Sequence, residues 1–337
     1  MGVRIAIICG TLLLQLSSFA QDEVPAADNH VHVRSQRAAN AWLQINRANP
    51  ALSKPSTLPT RLAQDILLDL DLAGIEKALL VSEAHVFAMP ELNPSGEYAL
   101  VRAENDFVAE QIAAAPQRLA GLCGLNPLAD YALEEVQRCA QILNLAGVSL
   151  HFSDSDINLR SNDHLVKLGQ FFEFLKVLEF PVLIHLATRN PHYGSVDVKL
   201  FIDNILINTP ALDIQIAHFG GHEEFTVQTD RAMSEFILAF ADGRLQPAKV
   251  QFDLAKSPSM PANSATALDQ NRQKRPNTMY AQRIRQLDPQ QVLFASSWTE
   301  KPGDSSRLAI TQVRNNLALT PQTIASFFPT LSRLFGQ

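Results

Sequence analysis

Residues 27–33 read Ala-Asp-Asn-His-Val-His-Val, an apolar, β-branched run that carries two histidines two positions apart. Side chains alternate from face to face along a strand, so His30 and His32 emerge on the same side. Where such a strand opens a parallel sheet, two imidazoles then converge from one element. No glycine-rich phosphate turn follows the run, although a dinucleotide-binding open sheet needs one after its first strand. The rest of the chain decides how the sheet is completed.

From residue 75 onward short β-branched runs alternate with longer segments of helical period, the pattern of repeated βα units. The strand candidates are Ala27 to Val33, Lys77 to Ser82, Leu119 to Leu125, Gly147 to Phe152, Pro181 to Leu186, Asp213 to Phe219, Lys249 to Leu254 and Gln291 to Ser296. Helix candidates between them include Thr60 to Leu72, Glu97 to Ala114, Tyr131 to Leu145, Asp163 to Leu178, Val196 to Ile207, Val227 to Phe240 and Tyr280 to Leu287. Eight strands, each trailed by a helix, are the number at which a parallel sheet closes on itself and loses its edges. A (β/α)8 TIM barrel is therefore expected, with a doubly wound open sheet as the alternative. Residues 34–59, with several Pro and Ser, read as a long loop over the barrel mouth.

The 337 residues, 46% of them apolar, suffice for one large barrel domain. A formal charge of -6 without a sustained basic stripe argues against nucleic acid as a partner. Near the start, Arg4 precedes the apolar run Ile5 to Leu16 and then Ser18-Phe19-Ala20, small residues that suit cleavage before Gln21. Residues 1–20 thus read as a signal peptide and residues 21–337 as the barrel domain. The apolar run is shorter than the roughly 20 residues that span a bilayer, so no membrane association is expected after cleavage. The expected location is periplasmic or secreted, with a small-molecule substrate as partner and homo-oligomerisation left open. Beyond that segment only Cys123 and Cys139 remain, read as two buried thiols that an oxidising compartment would allow to bridge.

Active sites of such barrels lie at the C-terminal ends of the strands. Histidine stands there repeatedly: His151, His185 and His218 close the runs that begin at Gly147, Pro181 and Ile214. One histidine at a strand end is more often structural than a ligand, but the conjunction with His30 and His32 reverses that expectation. Neutral nitrogen donors of this number suit Zn²⁺ or a neighbouring transition metal, and three of them leave a coordination position open for catalysis.

On the pieces Asn29-His30-Val31-His32, Leu183-Ile184-His185, Ile216-Ala217-His218-Phe219-Gly220, Phe294-Ala295-Ser296-Ser297-Trp298 and Leu331 to Gly336, the chain resembles the amidohydrolase-related proteins. That branch includes the metal-dependent decarboxylases of aromatic acids. The resemblance implies that His30, His32 and His185 bind one divalent metal, zinc first among the choices. It also implies that His218 works beside the metal or ligates it. Two positions depart from the family. Its eighth strand usually ends in an Asp that touches metal and shuttles protons, and here that position is Ser297, no general base near neutrality. Ser149 stands where close relatives often carry the Lys that bridges two metals once carbamylated.

Asp253, Glu300 and Glu223 are candidates to replace the missing carboxylate. Asp253, at the end of strand seven, is the best placed as a catalytic group, or else pins a neighbouring Lys or His. His222 reads as a loop residue rather than a further ligand. Arg189 and His151 are candidates for substrate binding, Arg189 through a fork that can clamp a carboxylate or else as a surface cation. His85 and Glu83, after strand two, are similarly placed with less weight. The expected activity is metal-assisted hydrolysis of an ester, lactone or amide, in which the metal lowers the pKa of bound water. Decarboxylation, and a barrel that has lost turnover and only binds, are the alternatives.

Overall fold

A computed structural model describes residues 23–48, 58–222, 225–255, 277–297 and 306–335. Eight strands form one parallel sheet in sequence order: β1 (Ala27–Val33), β2 (Lys77–Ser82), β3 (Leu119–Gly124), β4 (Gly147–His151), β5 (Val182–His185), β6 (Ile214–Ile216), β7 (Val250–Asp253) and β8 (Val292–Leu293). The ring is drawn shut between its ends by two backbone hydrogen bonds. Asn29 N–H donates to the Phe294 carbonyl at 3.1 Å, and Ser297 N–H to the His30 carbonyl at 2.9 Å. The expected (β/α)8 barrel is the fold.

Around it run α1 (Gln36–Ala48), α2 (Ala63–Ala73), α3 (Glu97–Ala113), α4 (Ala132–Gln141), α5 (Asn162–Val177), α6 (Ser195–Asn204), α7 (Val227–Ala241), α8 (277–284), α9 (Ser306–Asn316) and α10 (Pro321–Phe327). Strand alternation sorts the apolar side chains into two layers. Ala78 and Leu80 join the large core between sheet and helices, whereas Leu79 and Val81 point inward with Leu122, Leu183 and Ala217. Leu334, from the C-terminal segment, joins this inner cluster. Ser332 holds that segment in place, its amide donating to Asn29 Oδ1 (2.8 Å) and its hydroxyl to Gln215 Oε1 (2.7 Å).

Three expectations need correction. Residues 34–59 are not all loop, because 36–48 form α1. Ala38, Ala39, Trp42 and Ile45 make a buried stripe at helical spacing, and Ser35 Oγ caps the helix by accepting from the amides of Arg37 and Ala38. The apolar stripe outweighs the surrounding Pro and Ser. The second correction is to strand six, which ends at Ile216: His218 (φ 50°) and Phe219 (φ 54°) turn into the left-handed region. Finally, Cys123 of β3 and Cys139 of α4 are joined in a disulfide, with Cα atoms 6.1 Å apart, and are not two thiols. The expected signal peptide, Glu223, Trp298 and Glu300 lie outside the described residues. Among the described residues no helix is long and apolar enough to cross a membrane.

Candidate active site

Six histidines from five strand ends meet at the C-terminal mouth of the barrel. His30 and His32 do share a face, with Nε2 atoms 3.1 Å apart. His185, at the end of β5, completes a set whose ligand atoms all lie within 4.8 Å of one another. His218 adds a fourth ring, 5.4 Å from His30 and 5.2 Å from His185 between centroids. Its left-handed backbone is uncommon for a residue with a side chain, and such conformations concentrate at functional sites. The turn is held because the His218 amide donates to Asp253 Oδ1 at 2.9 Å.

Asp253 is the hub beneath these rings. Its Oδ2 accepts from His30 Nδ1 at 3.0 Å and from Gln215 Nε2 at 2.8 Å, and its side chain is fully buried. Burial pushes its carboxyl up, but His30 beside it and the hydrogen bonds from His30 and His218 outweigh that and hold it at about 2. The carboxylate fixes the His30 tautomer: with the proton on Nδ1, the lone pair sits on Nε2, facing His32. Two nitrogens at that separation share either one proton or one cation. A donor set of three imidazoles, one already oriented by a carboxylate, fits a divalent transition metal.

His151 lies between His85 and His185, with ring centroids 3.5 Å and 3.7 Å away and planes 11° and 17° from parallel. Burial first, then the neighbouring imidazoles His185, His85, His32 and His30, keep it well below the ordinary histidine range, so it is neutral at pH 7. Its Nε2 is buried without a hydrogen-bond partner. Asp154 sits 3.5 Å from both His151 Nδ1 and His85 Nε2. The sequence reading passed over Asp154, although its place three residues after a strand-ending histidine was the available signal.

Arg189 does not reach toward the metal set. Its fork closes on Glu91, with Nη1 and Nη2 donating to the two carboxylate oxygens at 2.5 and 2.9 Å, and its Nε donates to the Ser153 carbonyl. The carboxylate clamp expected of Arg189 is thus already closed on the protein's own acid. Glu83 is likewise occupied: Arg34 binds it bidentately at 2.6 Å, and Trp42 Nε1 donates to it at 2.9 Å. Ser149 is buried inside β4, Ser297 is buried with φ 44°, and His222 is exposed beside Tyr193.

The family model described as Amidohydrolase matches residues 81–250, half of the chain. The chain belongs to the amidohydrolase family. Solved structures agree with this fold. A 2,6-dihydroxybenzoate decarboxylase from Rhizobium is 15% identical, with 93% of this amidohydrolase and 99% of that chain covered and a TM-score of 0.61. A 5-carboxyvanillate decarboxylase from Novosphingobium aromaticivorans, complexed with manganese and 4-hydroxy-3-methoxy-5-nitrobenzoic acid, is 14% identical, covering 94% and 96%, TM-score 0.58. A probable 2-pyrone-4,6-dicarboxylic acid hydrolase from Acinetobacter baumannii, with citric acid bound, is 15% identical, covering 92% and 97%, TM-score 0.56. A search of curated proteins finds no match to this amidohydrolase.

Proposed function

We propose that this amidohydrolase is a metal-dependent enzyme acting at a carbonyl or carboxyl carbon of a small molecule, and that its reaction is hydrolysis of an ester, lactone or amide. The observation that carries the reading is the convergence of His30, oriented by Asp253, with His32, His185 and His218 at one point of the mouth. His30, His32 and His185 would hold one divalent ion, zinc by their donor type, with manganese supported by the manganese-bound decarboxylase of similar fold. When bound, such an ion supplies Lewis-acid polarisation of a substrate oxygen.

The remaining groups then divide the work. His218 donates Nδ1–H to the Ala255 carbonyl at 3.0 Å, which leaves Nε2 basic in the neutral ring. That nitrogen takes the proton of the attacking water and returns it to the leaving group. Asp253 acts as a positioning residue for His30, the pinning role of the two foreseen for it. His151 presents its buried Nε2 to the substrate. Ser297 contributes no proton transfer.

The decarboxylases among the similar folds support a second reading, decarboxylation. There CO2 leaves and one proton reaches the carbon it vacates, and His218 is again the group placed to deliver that proton, since Ser297 supplies none. Turnover in H₂¹⁸O separates the two. Hydrolysis puts ¹⁸O into the product acid; decarboxylation in D₂O puts deuterium on the product carbon and releases CO2. Metallated protein that turns over no ester, lactone, amide or aromatic acid would overturn both in favour of a binding barrel.

We infer also that the chain is exported and cut near Ala20, a reading supported by Arg4, the apolar run and the Cys123–Cys139 disulfide. Mass spectrometry of the mature amino terminus tests it.

A further inference from the structure

A line of hydrogen bonds runs from the C-terminal segment to His30. Ser332 begins it: its hydroxyl accepts from the Leu334 amide at 3.2 Å and donates to Gln215 Oε1 at 2.7 Å. Gln215, in the middle of β6, donates from Nε2 to the Asn29 carbonyl at 3.1 Å and to Asp253 Oδ2 at 2.8 Å. That oxygen is the one that also meets His30 Nδ1. Gln215, Asp253 and His30 are fully buried and Ser332 is 3% exposed, so a lost partner strands a polar atom away from bulk water.

The direction of the line follows from its donors and acceptors. A carboxamide has two N–H donors at one end and only an acceptor at the other. The Asn29 carbonyl has no proton to give, so the NH2 end of Gln215 faces it and places the second N–H on Asp253. The amide oxygen is then left to Ser332, whose hydroxyl gives it its one proton. The segment is itself tied to the strands that carry these groups. Asn29 Oδ1 of β1 accepts from the Ser332 amide at 2.8 Å. Gln251, on the same face of β7 as Asp253, accepts from the Arg333 amide at 3.0 Å and donates to the Leu331 carbonyl at 3.2 Å.

We propose that Ser332 and Gln215 are positioning residues for the metal ligand His30. Ser332 orients the Gln215 amide, the amide holds Asp253 Oδ2 against His30 Nδ1, and the ring is thereby kept with Nε2 toward His32. The inference rests on the reading of His30, His32 and His185 as a metal site. Without the Ser332 hydroxyl, Gln215 Oε1 becomes a buried acceptor with no partner, and the side chain relieves this by turning away from Asp253.

The test uses the full-length protein with Ser332→Ala and, independently, Gln215→Met, with circular dichroism confirming that each is folded. Zn²⁺ affinity by chelator competition should fall about 10-fold in each, the lower end of the usual loss when a partner of a metal ligand is removed. In metal-free protein labelled with ¹⁵N-histidine, the hydrogen-bonded Nδ1 proton of His30, identified by its absence in His30→Ala, should shift in both variants. Because Ser332 acts through Asp253, adding Ser332→Ala to Asp253→Asn should cost little further affinity. Unchanged Zn²⁺ affinity and an unmoved Nδ1 proton in both single variants, whatever their stability to urea, would overturn this inference and leave the metal site standing. Fully additive losses in the double variant would overturn it too. A parent that binds no Zn²⁺ refutes the metal site itself, and this inference falls with it.

Discussion

His30 donates its Nδ1 proton to Oδ2 of Asp253 across 3.0 Å, and both side chains are fully buried. The bond makes the metal-facing nitrogen of His30 a lone-pair donor. Asp253→Asn keeps the shape but removes the charge, so metal affinity should fall about 10- to 100-fold. Chelator competition measures it. At saturating metal the variant should recover much of its turnover; a kcat deficit that persists at full occupancy would instead make Asp253 a proton shuttle.

His30→Ala and His185→Ala each delete one nitrogen of the first metal set. Metal content by elemental analysis should drop by one equivalent per chain in both. Unchanged content in either would refute the assignment of that residue.

His218 is the group placed to move protons, and Ser297 is not. His218→Gln should lower turnover by about 10²- to 10⁴-fold while metal content stays at the parent level. Ser297→Asp is tolerated by the backbone, since φ 44° is a conformation that Asp adopts more readily than most residues. With the relay already complete at His218, the new carboxylate should leave turnover flat or lower it. A gain of ten- to a thousandfold in Ser297→Asp would show that the relay lacked its base.

Glu104 of α3 ties down the cap of α1, accepting from the Ser35 amide at 3.1 Å and from its hydroxyl. Burial pushes its carboxyl from 4.5 up to about 7, against the pull of those bonds. Below pH 4.5 the group is neutral whether the chain is folded or not. Between 4.5 and about 7 the unfolded chain ionises it while the folded chain keeps the proton, so stability falls as pH rises through that window and levels off above it. The loss is roughly 3 kcal/mol, at about 1.4 kcal/mol for each tenfold change in the equilibrium. Glu104→Gln should therefore flatten the rise in urea midpoint that the parent shows on going from pH 7.5 to 5. An identical pH profile in parent and variant would show that Glu104 titrates normally.

The barrel was legible because its cause is local and periodic. Each of the eight strands was found at its place, since β-branched runs between helical segments are visible without knowing what they touch. The shared face of His30 and His32 followed from alternation alone. Boundaries failed where backbone conformation departs from that period. Strand six stops short at His218, whose left-handed turn is imposed by a hydrogen bond to Asp253, 35 positions later in the chain. The helix of residues 36–48 was hidden by flanking Pro and Ser, although Ala38, Trp42 and Ile45 carried its spacing.

What the sequence determined by itself was therefore the ring of eight strands and the identity of the histidines at their ends. Tertiary structure alone decided which groups are engaged and with whom. Arg189 looked able to hold a substrate carboxylate until Glu91, 98 positions away, was found in its fork. Asp253 became a support for His30 across 223 positions. These are pairings between side chains from different strands, fixed only when closure of the barrel brings the strand ends to one mouth, and no local period encodes them.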